Sequence, residues 1–318
     1  MGQWVERRSM PTARHDLQAI AVGDSIFVIS GADDASLDTV EIYDAVSQIW
    51  TMGPPVSIPR GWFGAAFLNG KIYTVGGKTI QTSEMRKRTG VDFNFLSRDT
   101  LEVFDSDLAT WSLHEPMSGG PRAGAAVTAC SGRIWVIGGN TMGPEQQRLL
   151  DRVEIYDPLE KEWSLGPSLP KPVQGSGVAN IGGRIFVIGG MSGTGFSNEV
   201  LLLDRDSSGW RRLAPMPTAR ESMGIAFVNE RVYTFGGRNG DYLDTTEVYD
   251  ILRDSWTADT PMPVGKAWLG ACAAGGRSSS PAAPTRFQVE GISGSTTFMN
   301  TNPEGLSQGA VGGDYGKA

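Results

Sequence analysis

The sequence is poor in the side chains that most chemistry requires. Its 318 residues include two cysteines, Cys130 and Cys272, and two histidines, His15 and His114. A disulfide framework shows more cysteines at closer spacing, so these two, set in Ala/Gly-rich apolar stretches, are expected to be free buried thiols in a reducing compartment. Two histidines in different repeats are too few for a typical histidine-based site, and two distant cysteines do not make a zinc site. No metal or other cofactor is expected. The "GGK" and "GGR" segments end strands with no helix after them, so no phosphate-binding loop is present, and no nucleophile elbow is found. Basic residues are not in excess: 28 Lys and Arg against 35 Asp and Glu give a formal charge of -7, which offers no footprint for nucleic acid. No apolar run approaches the length that crosses a bilayer, and "MGQWVERRSM" lacks the apolar core of a secretory signal. Glu6 stands where a myristoylation pattern wants Ser or Thr. A soluble, cytoplasmic protein without membrane or nucleic-acid partners is the expectation.

Glycine and proline are abundant instead, 42 and 18 residues, which suits short strands joined by tight turns and an all-β fold. The phrases "KIYTVGGK", "RIWVIGGN", "RIFVIGGM" and "RVYTFGGR" repeat one pattern. The glycine that closes each phrase falls at Gly31, Gly77, Gly139, Gly190 and Gly237, at intervals of 46, 62, 51 and 47. Tryptophans 4, 50, 111, 163, 210 and 256 keep the same beat, with the same longer second interval. Two residue types sharing one period define a structural repeat. Each unit divides into four strand-sized pieces: a small apolar one such as "GAAFLNG"; the glycine phrase; a piece such as "VEIYD" or "LEVFD"; and one opening at the tryptophan. In the glycine phrase Ile134 and Val136 would face one way, Trp135 and Ile137 the other, so the sheet must be covered on both faces. Such a meander cannot stay dry alone, and copies packed around an axis solve the problem as a β-propeller.

These residues resemble the kelch repeat: a double glycine after the second strand, an aromatic in the third, a tryptophan opening the fourth and an arginine leading into the next unit. The resemblance covers roughly residues 4 to 276 and implies four-stranded antiparallel blades. First strands follow Arg14, Arg60, Arg122, Gln174, Arg220 and Lys266, which predicts six blades. The sixth is imperfect. Segments 286–291 and 296–300 are read as its second and third strands, and the N-terminal strand around Trp4 is expected to supply its outer strand and so close the ring. The expected organisation is a propeller over residues 1–302 and a flexible tail over 303–318.

Loops joining strands two to three, and strand four to the next blade, share one face, where function is expected. The largest departure from the period, 78–99, lies there and carries Arg86, Lys87 and Arg88 followed by Phe93 and Phe95. A charged, aromatic loop on a rigid scaffold suits partner docking, or else is a solvated insertion tucked onto its blade. Kelch domains of the substrate-adaptor type hold acidic peptides with arginines at the blade start and just after the double glycine. The resemblance therefore implies partner-binding roles for Arg14, Arg60, Arg122 and Arg220, and for Lys78 and Arg238 after the glycines, since guanidinium forks suit carboxylates. Repetition of the blade-start arginines favours a structural role for any single one of them, bonding loop carbonyls and packing on a nearby aromatic of its own blade. Asp33, Asp34, Asp38, Asp241 and Asp244 share the face and dilute its positive field. The expected function is a non-catalytic protein-interaction module or scaffold, alone or as a subunit of a larger assembly. The alternative is a carbohydrate-active enzyme of the sialic acid mutarotase type.

Overall fold

Short β-branched and aromatic pieces separated by two-residue turns leave the backbone one economical course, the antiparallel meander. A computed structural model describes residues 3–89, 94–143, 147–205 and 208–274, and the backbone alone of 285–290 and 297–301. The fold is an all-β propeller. Blade 1 consists of Gln18–Val22, Ser25–Ile29, Val40–Asp44 and Ile49–Met52, and blade 2 of Gly64–Leu68, Lys71–Val75, Leu101–Asp105 and Thr110–His114. Blade 3 is built from Ala126–Cys130, Arg133–Ile137, Val153–Asp157 and Glu162–Leu165. Blade 4 comprises Gly177–Ile181, Arg184–Ile188, Val200–Leu203 and Arg211–Leu213, and blade 5 Gly224–Val228, Arg231–Phe235, Thr246–Asp250 and Ser255–Asp259. Strand order follows the chain in each, innermost to outermost.

Six blades of this kind were expected, and five are built from four consecutive, fully described strands. A further sheet orders Gly270–Ala274, Thr285–Glu290, Thr297–Thr301 and Gln3–Glu6, with Trp4 opposite Met299. Only the backbone of its two middle strands is described. The expected tail, 303–318, lies outside the described residues. No described helix is long and apolar enough to cross a membrane.

The first hairpin turns have the left-handed backbone that their sequences suggest, for instance Asn69 and Gly70 at φ 50° and 77°. Burial on both faces of the second strands is realised blade against blade. Ile134 and Val136 pack with Tyr73, Val75 and Val103 of blade 2, while Ile137 and half-buried Trp135 pack with Ile185, Val187 and Leu201 of blade 4. The closing glycines allow close approach. Gly139 has φ 96°, and a Cβ there would lie 2.7 Å from the carbonyl oxygen of Ala123.

The tryptophans stitch the periphery. Trp111, Trp163, Trp210 and Trp256 each donate their indole N–H to a carbonyl just past the outer strand of the preceding blade, at Pro54, Glu115, Pro167 and Ala214. Trp4 does the same to Thr260 at 2.9 Å and Trp50 to Arg8 at 2.9 Å. Each of Tyr43, Phe104, Tyr156 and Tyr249 lies tilted against the tryptophan opposite it in its own blade, with ring centres 5.0–5.2 Å apart.

Candidate functional site

The arginines at the blade starts are enclosed within the propeller. Arg14, Arg60, Arg122 and Arg220 are 0–2% exposed. Each pairs with the glutamate of its own blade's third strand: Arg14 with Glu41 at 2.6 Å, Arg220 with Glu247 at 2.8 Å, Arg60 with Glu102 and Arg122 with Glu154. Arg14 also donates to the carbonyls of Ser30, Val28 and Thr12. Each guanidinium is thus engaged within its own blade and closed off from solvent, although Arg60 Nε, Arg122 Nε and Arg220 Nε and Nη1 donate no hydrogen bond.

Blade 4 explains the pairing by breaking it. The backbone carbonyl that receives the N–H of Gly139 belongs to Val173, as Arg122 receives Gly77 and Arg220 receives Gly190. Val173, not Gln174, thus holds the arginine position, and the third strand there has Leu201 in place of glutamate. Both ions are exchanged together for aliphatic groups, because one buried charge without the other is costly.

Two positions after each arginine or its substitute, the chain turns inward at the mouth of the axial channel. Asp16, Trp62, Gly124, Gly175, Ser222 and Trp268 all have left-handed backbone, φ 51–61°. Their peptide groups form a closed circle: Trp62 N donates to Asp16 O, Gly124 to Trp62, Gly175 to Gly124, Ser222 to Gly175, Trp268 to Ser222 and Asp16 to Trp268, at 2.8–3.1 Å. Glycine takes this conformation freely. A tryptophan does not, and side chains forced into it mark positions held for a purpose.

Around this circle the chain gathers charge and aromatic surface. Lys78 Nζ lies 2.9 Å from Asp16 Oδ2, 5.0 Å from the Trp62 ring centre and 4.9 Å from that of Phe95. Arg238 lies over Trp268 at 5.1 Å and Phe196 at 5.7 Å, with Nε 3.1 Å from Glu221 Oε1. His15 Nδ1 is 3.4 Å from Asp16 Oδ2, and Tyr242 meets Trp268 edge-on at 5.8 Å. Asn140, Gln174 and Glu221 form a hydrogen-bonded chain, at 2.5 and 3.3 Å. Below, an axial channel of about 530 Å³ is lined by first-strand residues such as Gln18, Ala66, Thr128, Asn180 and Cys272.

Segment 78–99 rises from this rim as a ribbon, Lys78–Ile80 against Phe95–Ser97, carrying a short helix, Ser83–Thr89. Ser97 exchanges hydrogen bonds with Met142 of blade 3, and Ile80 N donates to Ser36 of blade 1. Lys87 and Arg88 point outward, while Arg86 is tied to Asn94 and Ser83. Phe93 lies outside the described residues. The structure therefore unites Lys78, Arg238 and Phe95 at the mouth and keeps Arg86, Lys87 and Arg88 on the helix above the ribbon. Asp16, Trp62, Ser222, Glu221 and Trp268 escaped the sequence reading. Their signal was a pair of adjacent columns, one and two positions after the arginine or its substitute, that change from repeat to repeat inside an otherwise constant frame.

The two mouth carboxylates are pushed apart. Burial raises Asp16, but hydrogen bonding by His15 and the Lys78 charge outweigh it and hold its carboxyl below the usual range. Burial pushes Glu221 up, with the Gln174 hydrogen bond, Arg238 and Lys78 only partly offsetting it. An acid with a raised folded value binds its proton more readily folded than unfolded, so stability falls as pH rises through the window between the two values. Calorimetry of wild type and Glu221→Gln is expected to show the wild type gaining on the variant as pH drops toward the ordinary glutamate value of 4.5. A constant difference, or the opposite trend, contradicts the assignment.

The repeat frame, the meander and the arginine-glutamate pairs define a β-propeller of kelch type. The KLHDC2/KLHL20/DRC7 Kelch-repeats domain matches residues 85–276 and the Kelch motif residues 13–57. The chain belongs to the kelch-repeat family. It is 27% identical to Kelch-like protein 25 of Xenopus tropicalis over 81% of this chain and 43% of that protein. To human Kelch-like protein 23 it is 28% identical, over 82% and 44%, and to Kelch-like protein terF of Aspergillus terreus 26%, over 79% and 57%. The chain thus spans less than half the length of the first two and a little over half of the third. The solved structure of YjhT superposes with a TM-score of 0.73 at 16% identity, covering 94% of this chain and 97% of that one. That likeness is one of fold alone.

Proposed function

We propose that this chain is a non-catalytic protein-interaction module, which takes a peptide or loop of a partner on the mouth face between Trp62 and Trp268. The ring is proposed to close as six blades, with Gln3–Glu6 as the outer strand of the last. The complete circle of tryptophan hydrogen bonds, from Trp50 back to Arg8 and from Trp4 to Thr260, supports that closure.

One observation carries the functional reading. Two half-buried tryptophans sit in left-handed backbone where sibling blades use glycine, at a cost of about 1–3 kcal/mol each. Large aromatic anchors beside charged and polar groups are what interface centres are made of. The accessible bases Lys78 and Arg238 already hold Asp16 and Glu221, so the mouth favours an aromatic and polar contact over capture of an acidic motif. The 78–99 ribbon would form one wall, with Lys87 and Arg88 at its rim. The kelch-like relatives make a partner-binding role the natural starting point.

The test is the double variant Trp62→Gly, Trp268→Gly. Its melting temperature is expected to hold or rise, because glycine relaxes the backbone, while specific partners captured from the native source by wild type are lost. Retention of the same partners at the same affinity overturns the proposal.

A further inference from the structure

Asp16 is 3% exposed, and its two oxygens live differently. Oδ2 is held by Lys78 at 2.9 Å and faces His15 at 3.4 Å, whereas buried Oδ1 accepts no hydrogen bond. Ser222, 8% exposed, carries a second buried oxygen, Oγ, without a hydrogen-bond partner. Both residues line one pocket of about 70 Å³ at the centre of the mouth, between Trp62 and Trp268 and above Gly124 and Gly175. Bare glycine keeps it open: a Cβ on Gly175 would stand 3.2 Å from Ser222 Oγ and 2.9 Å from Glu221 Oε2.

Buried polar atoms are satisfied almost everywhere in folded proteins, so two orphans on residues that line one cavity point to what belongs there. A carboxylate oxygen accepts only, and a hydroxyl both donates and accepts. Charge narrows the choice further. A cation entering beside Oδ1 would meet the Lys78 ammonium across the same carboxylate, and an anion would meet the carboxylate itself, which Lys78 and His15 keep ionised. Lys78 and Arg238 are each balanced by an acid of this chain, so no surplus charge invites either ion.

The structure assigns this pocket as the seat of one uncharged hydrogen-bonding group of the partner peptide, a hydroxyl or carboxamide side chain that donates to Asp16 Oδ1 and reaches Ser222 Oγ. The inference rests on the peptide-binding reading above and names the chemistry of its central contact. The two indoles would cover the apolar part of the inserted side chain.

The test pans a phage-displayed library of random peptides against the full chain and measures the selected peptides by fluorescence anisotropy. Selected sequences are expected to share one position occupied by Ser, Thr, Asn or Gln. Alanine there should weaken binding to wild type roughly tenfold, and less than about twofold in the double variant Asp16→Asn, Ser222→Gly. Both substitutions suit the left-handed backbone, which keeps the fold intact. Exchanging Ser for Asn at that position tells a hydroxyl from a carboxamide. Peptides that lose binding in Trp62→Gly, Trp268→Gly but fix an acidic or basic residue, or ignore the Asp16 and Ser222 variants, overturn this inference and leave the interaction reading standing. Selected peptides indifferent to both tryptophans overturn the two together.

Discussion

Arg220→Val alone is expected to lower stability by about 3–5 kcal/mol, and Arg220→Val with Glu247→Leu to recover most of that loss. The guanidinium is fully buried, donates to Thr234 Oγ1 at 2.7 Å and lies 2.8 Å from Glu247, whose other oxygen receives Thr218 at 2.7 Å. Removing the arginine leaves a carboxylate with no counter-ion in a closed space. Removing both leaves a site that blade 4 already fills with Val173 and Leu201, in the same apolar cluster. Urea denaturation of the two single variants and the double gives the coupling directly, expected at about 2 kcal/mol or more. Additive losses would mean that the pairs do not act as units. A variant that loses partner binding while staying fully stable as Arg220→Val would return the arginine to the functional surface.

That pairing also shows where the sequence was legible. Period, meander, hairpin turns and two-faced burial could all be read because they arise from columns that every repeat must satisfy: glycine where a Cβ would strike a neighbouring carbonyl, an aromatic opposite a tryptophan. The buried arginines recur for the same reason, and their repetition argued for structure. What went unread was the partner, since the glutamate of "VEIYD" looked like part of a strand-forming phrase, although Val173 and Leu201 change together where both ions are missing. The mouth was opaque for the opposite reason. Asp16, Trp62, Ser222 and Trp268 share a column with Gly124 and Gly175, and only the circle of peptide hydrogen bonds reveals that these six residues, of four different types, surround one axis. Lys78 and Arg238 were picked out from their place after the glycines, yet the aspartate and glutamate that hold them lie 62 and 17 residues away in the chain, beyond what local spacing conveys.

Deleting residues 1–9 should lower the melting temperature by roughly 5 °C or more and bring on aggregation during heating. The deletion removes the Gln3–Glu6 ladder against Thr297–Thr301, the Trp4 hydrogen bond to Thr260 and its edge contact with Phe235 at 5.7 Å. It also takes away Arg8, the acceptor for Trp50, so blades 1 and 5 each lose a tie. Half-buried Trp4 takes its packing against Phe235 with it, and the uncovered strand presents free peptide groups to other molecules. Trp4→Ala separates the two effects, because it removes the wedge but keeps the ladder: it should reproduce much of the thermal loss with little of the aggregation. An unchanged melting curve for the deletion would mean that the outer strand contributes nothing to closure, and that the first-strand contacts of Gly270–Ala274 with blades 1 and 5 hold the ring by themselves.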